Sequence, residues 1–429
     1  MPDTQPILTA RDEPAAVAMD RQRMRAFVSG LLDRRDVFLR AAGRHGSPLY
    51  VIEPDVLRRR ARRFTEAFSR ESGEVDLYYA VKSNNHPEIA RTLVEAGLGL
   101  DVSSGLELQM ALECGATEIV FSGPGKTDAE LALAVEHRDR TTVLIDSFGE
   151  LERLGRIAEA RSARIRAGVR LTTNPNGLWR KLGIPLEALG DFFDAADAWS
   201  GIELRGLQFH TSWNLDPRPQ VDFIVRLGEA LERLPAGRRA AIEFIDIGGG
   251  FWVEQGEWLQ SDGSGEPCDS PAADRHYWRP AAAIEQFAER IAQAFGRHLQ
   301  SRAPCRLCAE PGRWLCHAAA HLLLTVVDVK ARDLVITDGG TNAVGWERFE
   351  TDYFPVINLS SPELTERPCH ILGSLCTPHD VWGYGYWGRS MKRGDLLLVP
   401  TQGAYTYSLR QEFIKPLPAV VMLQDDIVA

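Results

Sequence analysis

The chain has 429 residues, 44% of them apolar and 25% charged, with a formal net charge of -10. That length exceeds one ordinary core and favours two domains or a barrel with an attached domain, and the acidic balance argues against nucleic acid as a partner. No apolar run reaches the length of about 18 residues that a membrane span needs, and the polar start "MPDTQPILTARDEP" lacks a secretory pattern, so a cytoplasmic protein with no membrane partner is the expectation.

Residues 1–46 carry apolar positions at helical spacing and read as a helical extension, a lid or cap. From Leu49 strands and helices alternate. "PLYVIE" precedes a helix opened by Pro54, "VDLYYAV" precedes "HPEIARTLVEAG", and "GLDVSS" precedes "GLELQMALECGA". "EIVFSG", "TTVLIDS", "ARIRAGVRL", "GIELRGLQFHTS", "AIEFIDIGGG" and "CRLCAEPGRWLC" continue the pattern. About eight such pairs predict an α/β fold, a (β/α)8 barrel over residues 47–320, since open sheets usually have fewer. Residues 253–277 are polar and glycine-rich, an excursion before the next helix. Beyond residue 321 the periodicity turns to strands, predicting a β domain over 321–429 to which the first strand, "LYVIE", could also belong.

Seven cysteines in so long a chain do not make a disulfide framework. Cys305, Cys308 and Cys316 cluster ahead of His317 and His321, but one CxxC around an apolar segment reads as core before it reads as a metal site, so no metal is expected.

In a barrel the residues after each strand share one rim, where such folds place their sites. Here they are Lys82, Asp101, Ser122 to Lys126, Arg170, His210, Gly248 to Gly250, and Glu310 to Arg313. A lysine can form an imine with an aldehyde, a histidine can stack on a ring, and a carboxylate can keep a ring nitrogen protonated. That set describes pyridoxal phosphate. Singly each has a plainer reading: Lys82 as a solvated stem, His210 as a hydrogen-bonded polar residue, "GGGF" as a tight turn, Glu310 as a partner of Arg313.

With "YYAVKSN", "DVSSGLE", "GLQFH", "DIGGGF", "EPGRWL", "DGG", Cys376 four residues before Asp380, and "GAYTYS", the chain resembles the fold-type III pyridoxal phosphate-dependent decarboxylases, the diaminopimelate, ornithine and arginine decarboxylase family, over roughly residues 45–425. The resemblance implies an alanine racemase-like barrel with a C-terminal β domain, a carboxy-lyase activity and a homodimer with shared sites. It makes Lys82 the covalent seat of the cofactor, His210 the ring stacked on its face, and Glu310 the carboxylate at the pyridine nitrogen. Gly248, Gly249 and Gly250 would donate to the phosphate beside Arg313, Tyr405 and Ser212. Asp101 and Glu107 would form an acidic pair below the lysine, with Arg170 and Lys181 supporting the floor. Cys376 would return a proton to the α-carbon after carbon dioxide leaves, from the partner subunit; its flanks alone favour a small buried hydrophobe.

The chain departs from that family at the substrate's distal end. Thr377 stands where a carboxylate follows the cysteine, within "CTPHD", which leaves Asp338, His379 and Asp380 as candidate contacts. "TNAVGWERF" places Trp346 and Arg348 where an arginine would meet a distal carboxylate, and "HTSWN" adds Trp213 near the phosphate side. Arg410 and Lys415 add cations near the expected entrance, which would suit an acidic tail, as in relatives that decarboxylate a citrate-linked diamino acid during siderophore assembly; ordinary surface explains them equally. A basic amino acid of either hand is a further substrate reading. A racemase, a non-catalytic regulatory homologue and a small vitamin B6-binding protein are rivals, opposed respectively by Cys376, by the intact lysine and glycine loop, and by the length.

Overall fold

A computed structural model describes residues 15–260, 276–345 and 352–423. The chain divides into two compact units, the first built from residues 58–254 and 282–314, the second from the described residues of 14–57, of 255–281 and from 315 onward.

The first unit is a closed barrel of eight parallel strands: β1 (Val75–Ala80), β2 (Gly99–Val102), β3 (Ile119–Phe121), β4 (Thr141–Ile145), β5 (Ile165–Leu171), β6 (Ile202–Phe209), β7 (Phe244–Asp246) and β8 (Arg306–Ala309). Strand β8 closes the ring between β7 and β1. Side-chain caps start the helices that follow β2, β3 and β4. Ser104 and Ser147 accept the Glu107 and Glu150 backbone N–H groups, and Thr127 forms a capping box with Glu130, so helices Gly105–Glu113, Phe148–Ala160 and Asp128–Glu136 start directly above their strands. Tyr78, Val120, Leu144, Phe244 and Cys308 fill one level of the lumen, and a Cβ on Gly206 would run into the Phe244 ring. The polar lumen residues follow them toward the C-terminal rim.

The second unit is a mixed eight-stranded sheet. Strand Leu49–Ile52 lies in it, antiparallel to Ala320–Ala331 and parallel to Ala419–Met422. The barrel's first strand is therefore Val75–Ala80, and the "LYVIE" stretch counted into the 47–320 span pairs elsewhere. All four residues of Leu49–Ile52 are buried because both sheet faces are covered: Leu49 and Val51 join one core, Tyr50 the other. The first core contains Met24, Val28 and Phe38 from helices Arg21–Leu32 and Arg35–His45. The segment expected to be a lid thus contributes core side chains to the sheet, which is where its amphipathic faces bury their apolar stripe. The excursion's flanks form a small antiparallel sheet of Val17–Ala18, Tyr277–Arg279 and Glu257–Leu259; its residues 261–275 lie outside the described residues. No helix among the described residues is long and apolar enough to cross a membrane.

Candidate active site

The rim of the first unit gathers most of the expected groups. Lys82 sits on the turn Val81–Ser83 directly after β1, with Nζ 2.7 Å from Asp101 Oδ2. Asp101 ends nearly at the tip of β2, fully buried, and its Oδ1 accepts from Ser122 Oγ at 2.6 Å. Burial and the nearby Glu310 charge push the Asp101 carboxyl up, against the pull of Lys82 and Ser122. Glu107 accepts the Ser103 backbone N–H at 2.7 Å, fixing the β2 exit, and burial raises its carboxyl.

His210 and Glu310 follow β6 and β8. Glu310 is buried and accepts from Gln208 Nε2 at 3.1 Å, while His210 Nδ1 is 3.8 Å from its other oxygen. Burial would raise Glu310, but His210, Lys82 and Arg170 outweigh it and hold the carboxyl below its usual range. Burial lowers His210, against the pull of Glu310, and its Nδ1 accepts the Gly249 N–H at 3.1 Å. Arg170 on β5 lies 4.0 Å from Asp146.

The glycine run differs from the expectation of three phosphate donors. The Gly248 N–H donates to Asp246 Oδ1 at 2.8 Å and the Gly249 N–H to His210, so two of the three amides already have protein acceptors. What the run requires is room. A Cβ on Gly249 would stand 2.5 Å from the Glu310 carbonyl oxygen, and one on Gly250, at φ 82°, would strike the Thr211 carbonyl. Arg313 extends over the Trp252 ring at 4.5 Å, and Ser212 is half-buried in the loop after β6. Lys181 is exposed. Lys126, counted at the rim, turns inward instead, bonding Glu150 at 2.8 Å and the carbonyls of Gly123 and Leu144.

The remaining residues belong to the second unit. Cys376 is exposed, with Thr377 and His379 beside it on the same loop. Asp380, expected to meet substrate, is buried and holds that loop: Oδ1 accepts from Thr341 N at 2.7 Å and Thr341 Oγ1 at 2.9 Å, Oδ2 from Leu375 N at 2.7 Å. Asp338 likewise accepts from Ser47 Oγ at 2.5 Å and Thr325 N at 2.8 Å. Tyr405 is half-buried at φ 56°. Arg410 stacks on Tyr407 at 3.3 Å and Lys415 is exposed. Trp346 and Arg348 lie outside the described residues.

Cys305, Cys308 and Cys316 are buried, and among the described residues no group of three or more His, Cys, Asp or Glu side chains could hold a metal ion. His321 bonds Glu53 at 2.7 Å and the Thr401 N–H at 3.3 Å. Gln208 and Asp246 join these groups without having been expected from sequence; the signal for them is a lone polar residue in each of two apolar strands, "GLQF" and "FIDI".

Residues 55–317 match the family model described as the pyridoxal-binding domain of pyridoxal-dependent decarboxylases. The chain belongs to that decarboxylase family. It is 29% identical to the diaminopimelate decarboxylase of Methanothermobacter thermautotrophicus over 90% of this chain and 88% of that one. It superposes on the M. jannaschii diaminopimelate decarboxylase in complex with L-lysine at a TM-score of 0.72 and 26% identity, covering 90% and 88% of the chains. The lysine/ornithine decarboxylase of Vibrio vulnificus shares the fold at a TM-score of 0.74 and 22% identity, covering 91% and 98%. This decarboxylase is a pyridoxal phosphate-dependent carboxy-lyase. Its site fits the cofactor: a rim amine held by a buried carboxylate, a second buried carboxylate kept ionised, and a glycine loop with no space for side chains.

Proposed function

We propose that this decarboxylase removes the α-carboxylate of an amino acid of the diaminopimelate type, with pyridoxal phosphate held covalently at Lys82. The observation that carries the assignment is the Lys82–Asp101 pair at 2.7 Å, with Glu310 buried and ionised nearby. When bound, the cofactor supplies an electron sink for the pair left as carbon dioxide departs. Asp101 orients the Lys82 amine, Glu310 holds a proton at the ring nitrogen, His210 packs on the ring face, and the Gly250 amide, Ser212 and Arg313 take the phosphate.

Cys376 supplies the α-carbon proton from a second copy of the chain. A homodimer is supported by apolar side chains left exposed after the barrel strands, Leu106, Phe148, Leu178, Trp179 and Trp213, which solvated rims rarely carry together. A cytoplasmic setting is supported by the free thiols of Cys114, Cys305, Cys308, Cys369 and Cys376.

Thr377, with the carboxylates of Asp338 and Asp380 already hydrogen-bonded within the chain, favours a second substrate reading. In it the distal end is a conjugate such as a citrate-linked diamino acid, met by Arg410, Lys415, His379 or Arg348. A carbon dioxide release screen over diaminopimelate, lysine, ornithine, arginine, their D forms and acid-conjugated diamino acids separates the two. Turnover confined to free diamino acids supports the first, preference for conjugates the second, and none with any of them contradicts both.

A further inference from the structure

Below the rim stands a carboxyl group to which none of these roles has been given. Asp246 lies on β7 with no solvent exposure, opposite Gln208 of β6 and Cys308 of β8 in register. Its Oδ1 accepts the Gly248 N–H, but its Oδ2 has no hydrogen-bond partner. Neither has Gln208 Oε1, whose amide nitrogen donates to Glu310. Glu310, Asp101, Cys308 and Tyr78 are the titratable groups that act on or respond to Asp246, and Lys82, Arg170 and His210 act on Glu310 itself. Among the described residues no cation forms an ion pair with Asp246. An ionised Asp246 would be an unpaired buried charge against the Glu310 carboxylate and near Asp101, with one oxygen unbonded. A neutral carboxyl resolves both problems, because it puts an O–H donor between two acceptors on the adjoining strands.

We infer that Asp246 is protonated through the neutral pH range and is a positioning residue, its O–H donating into the Gln208–Glu310 pair while its other oxygen holds the glycine loop. Burial and the Glu310 charge both push its carboxyl well up, in keeping with that state. One side chain then couples the loop beside His210 to the carboxylate that meets the ring nitrogen. The protonation stands on the geometry of the barrel; the importance for catalysis rests on the Glu310 assignment above.

Infrared difference spectra of the full-length protein, wild type minus Asp246→Asn, read the carbonyl stretch of a protonated carboxyl directly. The expected result is such a band at neutral pH, lost in Asp246→Asn and shifted in Gln208→Leu. No band, or one that persists in Asp246→Asn, overturns the inference. As a second readout, Asp246→Asn, which is neutral and keeps a donor, should retain at least ~10-fold more kcat than Asp246→Ala, about 1.4 kcal/mol of barrel-imposed positioning. Equal losses overturn the positioning role. A missing band with an inactive Glu310→Gln enzyme overturns this inference alone, whereas a band with a fully active Glu310→Gln enzyme overturns the ring-nitrogen assignment and with it the part of Asp246 in catalysis.

Discussion

Lys82 and Asp101 form an asymmetric pair: the carboxylate is fully buried, while the lysine side chain remains 35% exposed. The buried partner fixes the amine, and the open side leaves it within reach of an aldehyde. We predict that borohydride reduction of the cofactor-loaded enzyme fixes pyridoxyl on the tryptic peptide containing Lys82, and that Lys82→Ala loses the adduct. A reduced adduct on another lysine in that variant would remove Lys82 from the centre of the site. The substitution also strands Asp101 without its ammonium. Discounted for the exposure of the lysine, the expected destabilisation is about 1–3 kcal/mol in urea unfolding.

Glu310 is ionised despite complete burial because His210, Lys82 and Arg170 offset the desolvation. Glu310→Gln keeps the shape and removes the charge that holds a ring proton. The expected effect is a loss of about 10²–10⁴-fold in kcat with cofactor still bound, measured by carbon dioxide release and by visible absorption. An unchanged kcat would exclude Glu310 from that role.

Gly249→Ala tests the close approach of the loop to β8. Its Cβ would stand 2.5 Å from the Glu310 carbonyl oxygen, which is backbone and has little freedom to withdraw. We expect destabilisation of about 1–3 kcal/mol from overpacking and a weaker hold on pyridoxal phosphate, measured by cofactor titration. Wild-type affinity in this variant would mean that the loop is looser than the packing implies.

Glu53 governs the acid stability of the second unit. Burial would raise its carboxyl, but hydrogen bonds from His321 and Arg34 hold it down to about 2, against an ordinary value of 4.5. A carboxyl with a lowered folded pKa binds fewer protons in the native than in the unfolded state. Its stabilisation is therefore present above pH 4.5 and lost as pH falls toward about 2. Urea unfolding of Glu53→Gln at neutral pH should show a loss of about 2–3 kcal/mol that disappears near the acid limit. A loss that is the same at both pH values would point to packing.

Cys376→Ala removes an exposed thiol and no buried contact. Cofactor content and melting temperature should stay at wild-type values while kcat falls by about 10²-fold or more, the scale of a missing proton donor. Mixing this variant with Lys82→Ala should restore part of the activity, because in the proposed dimer one of the two sites then has both Lys82 and Cys376. No recovery after subunit exchange would count against the shared site.

Strand alternation and strand-end chemistry were legible from residue order: Lys82, Asp101, His210 and Glu310 each follow an apolar run, and the fold brings them to one rim. The affiliation of "LYVIE" was not, because a fully buried four-residue strand has the same apolar pattern in either sheet, and only pairing with Ala320–Ala331 and Ala419–Met422 decides. The internal hydrogen bonds of Asp338 and Asp380 were not legible, because sequence does not show backbone donors; Thr325, Thr341 and Leu375 reach their oxygens only once the loops are folded. The glycine run announced tight packing, but the acceptors of its first two amides come from Asp246 and His210, separated by 36 positions in the chain and joined by the β6–β7 register.

The most direct measurement follows carbon dioxide from α-carboxyl-labelled diaminopimelate and the acid-conjugated diamino acids, using purified enzyme with and without added pyridoxal phosphate, beside Lys82→Ala. We predict cofactor-dependent label release by the wild type with at least one of these substrates and none above background by the variant. Release that survives in Lys82→Ala at the wild-type rate would contradict it.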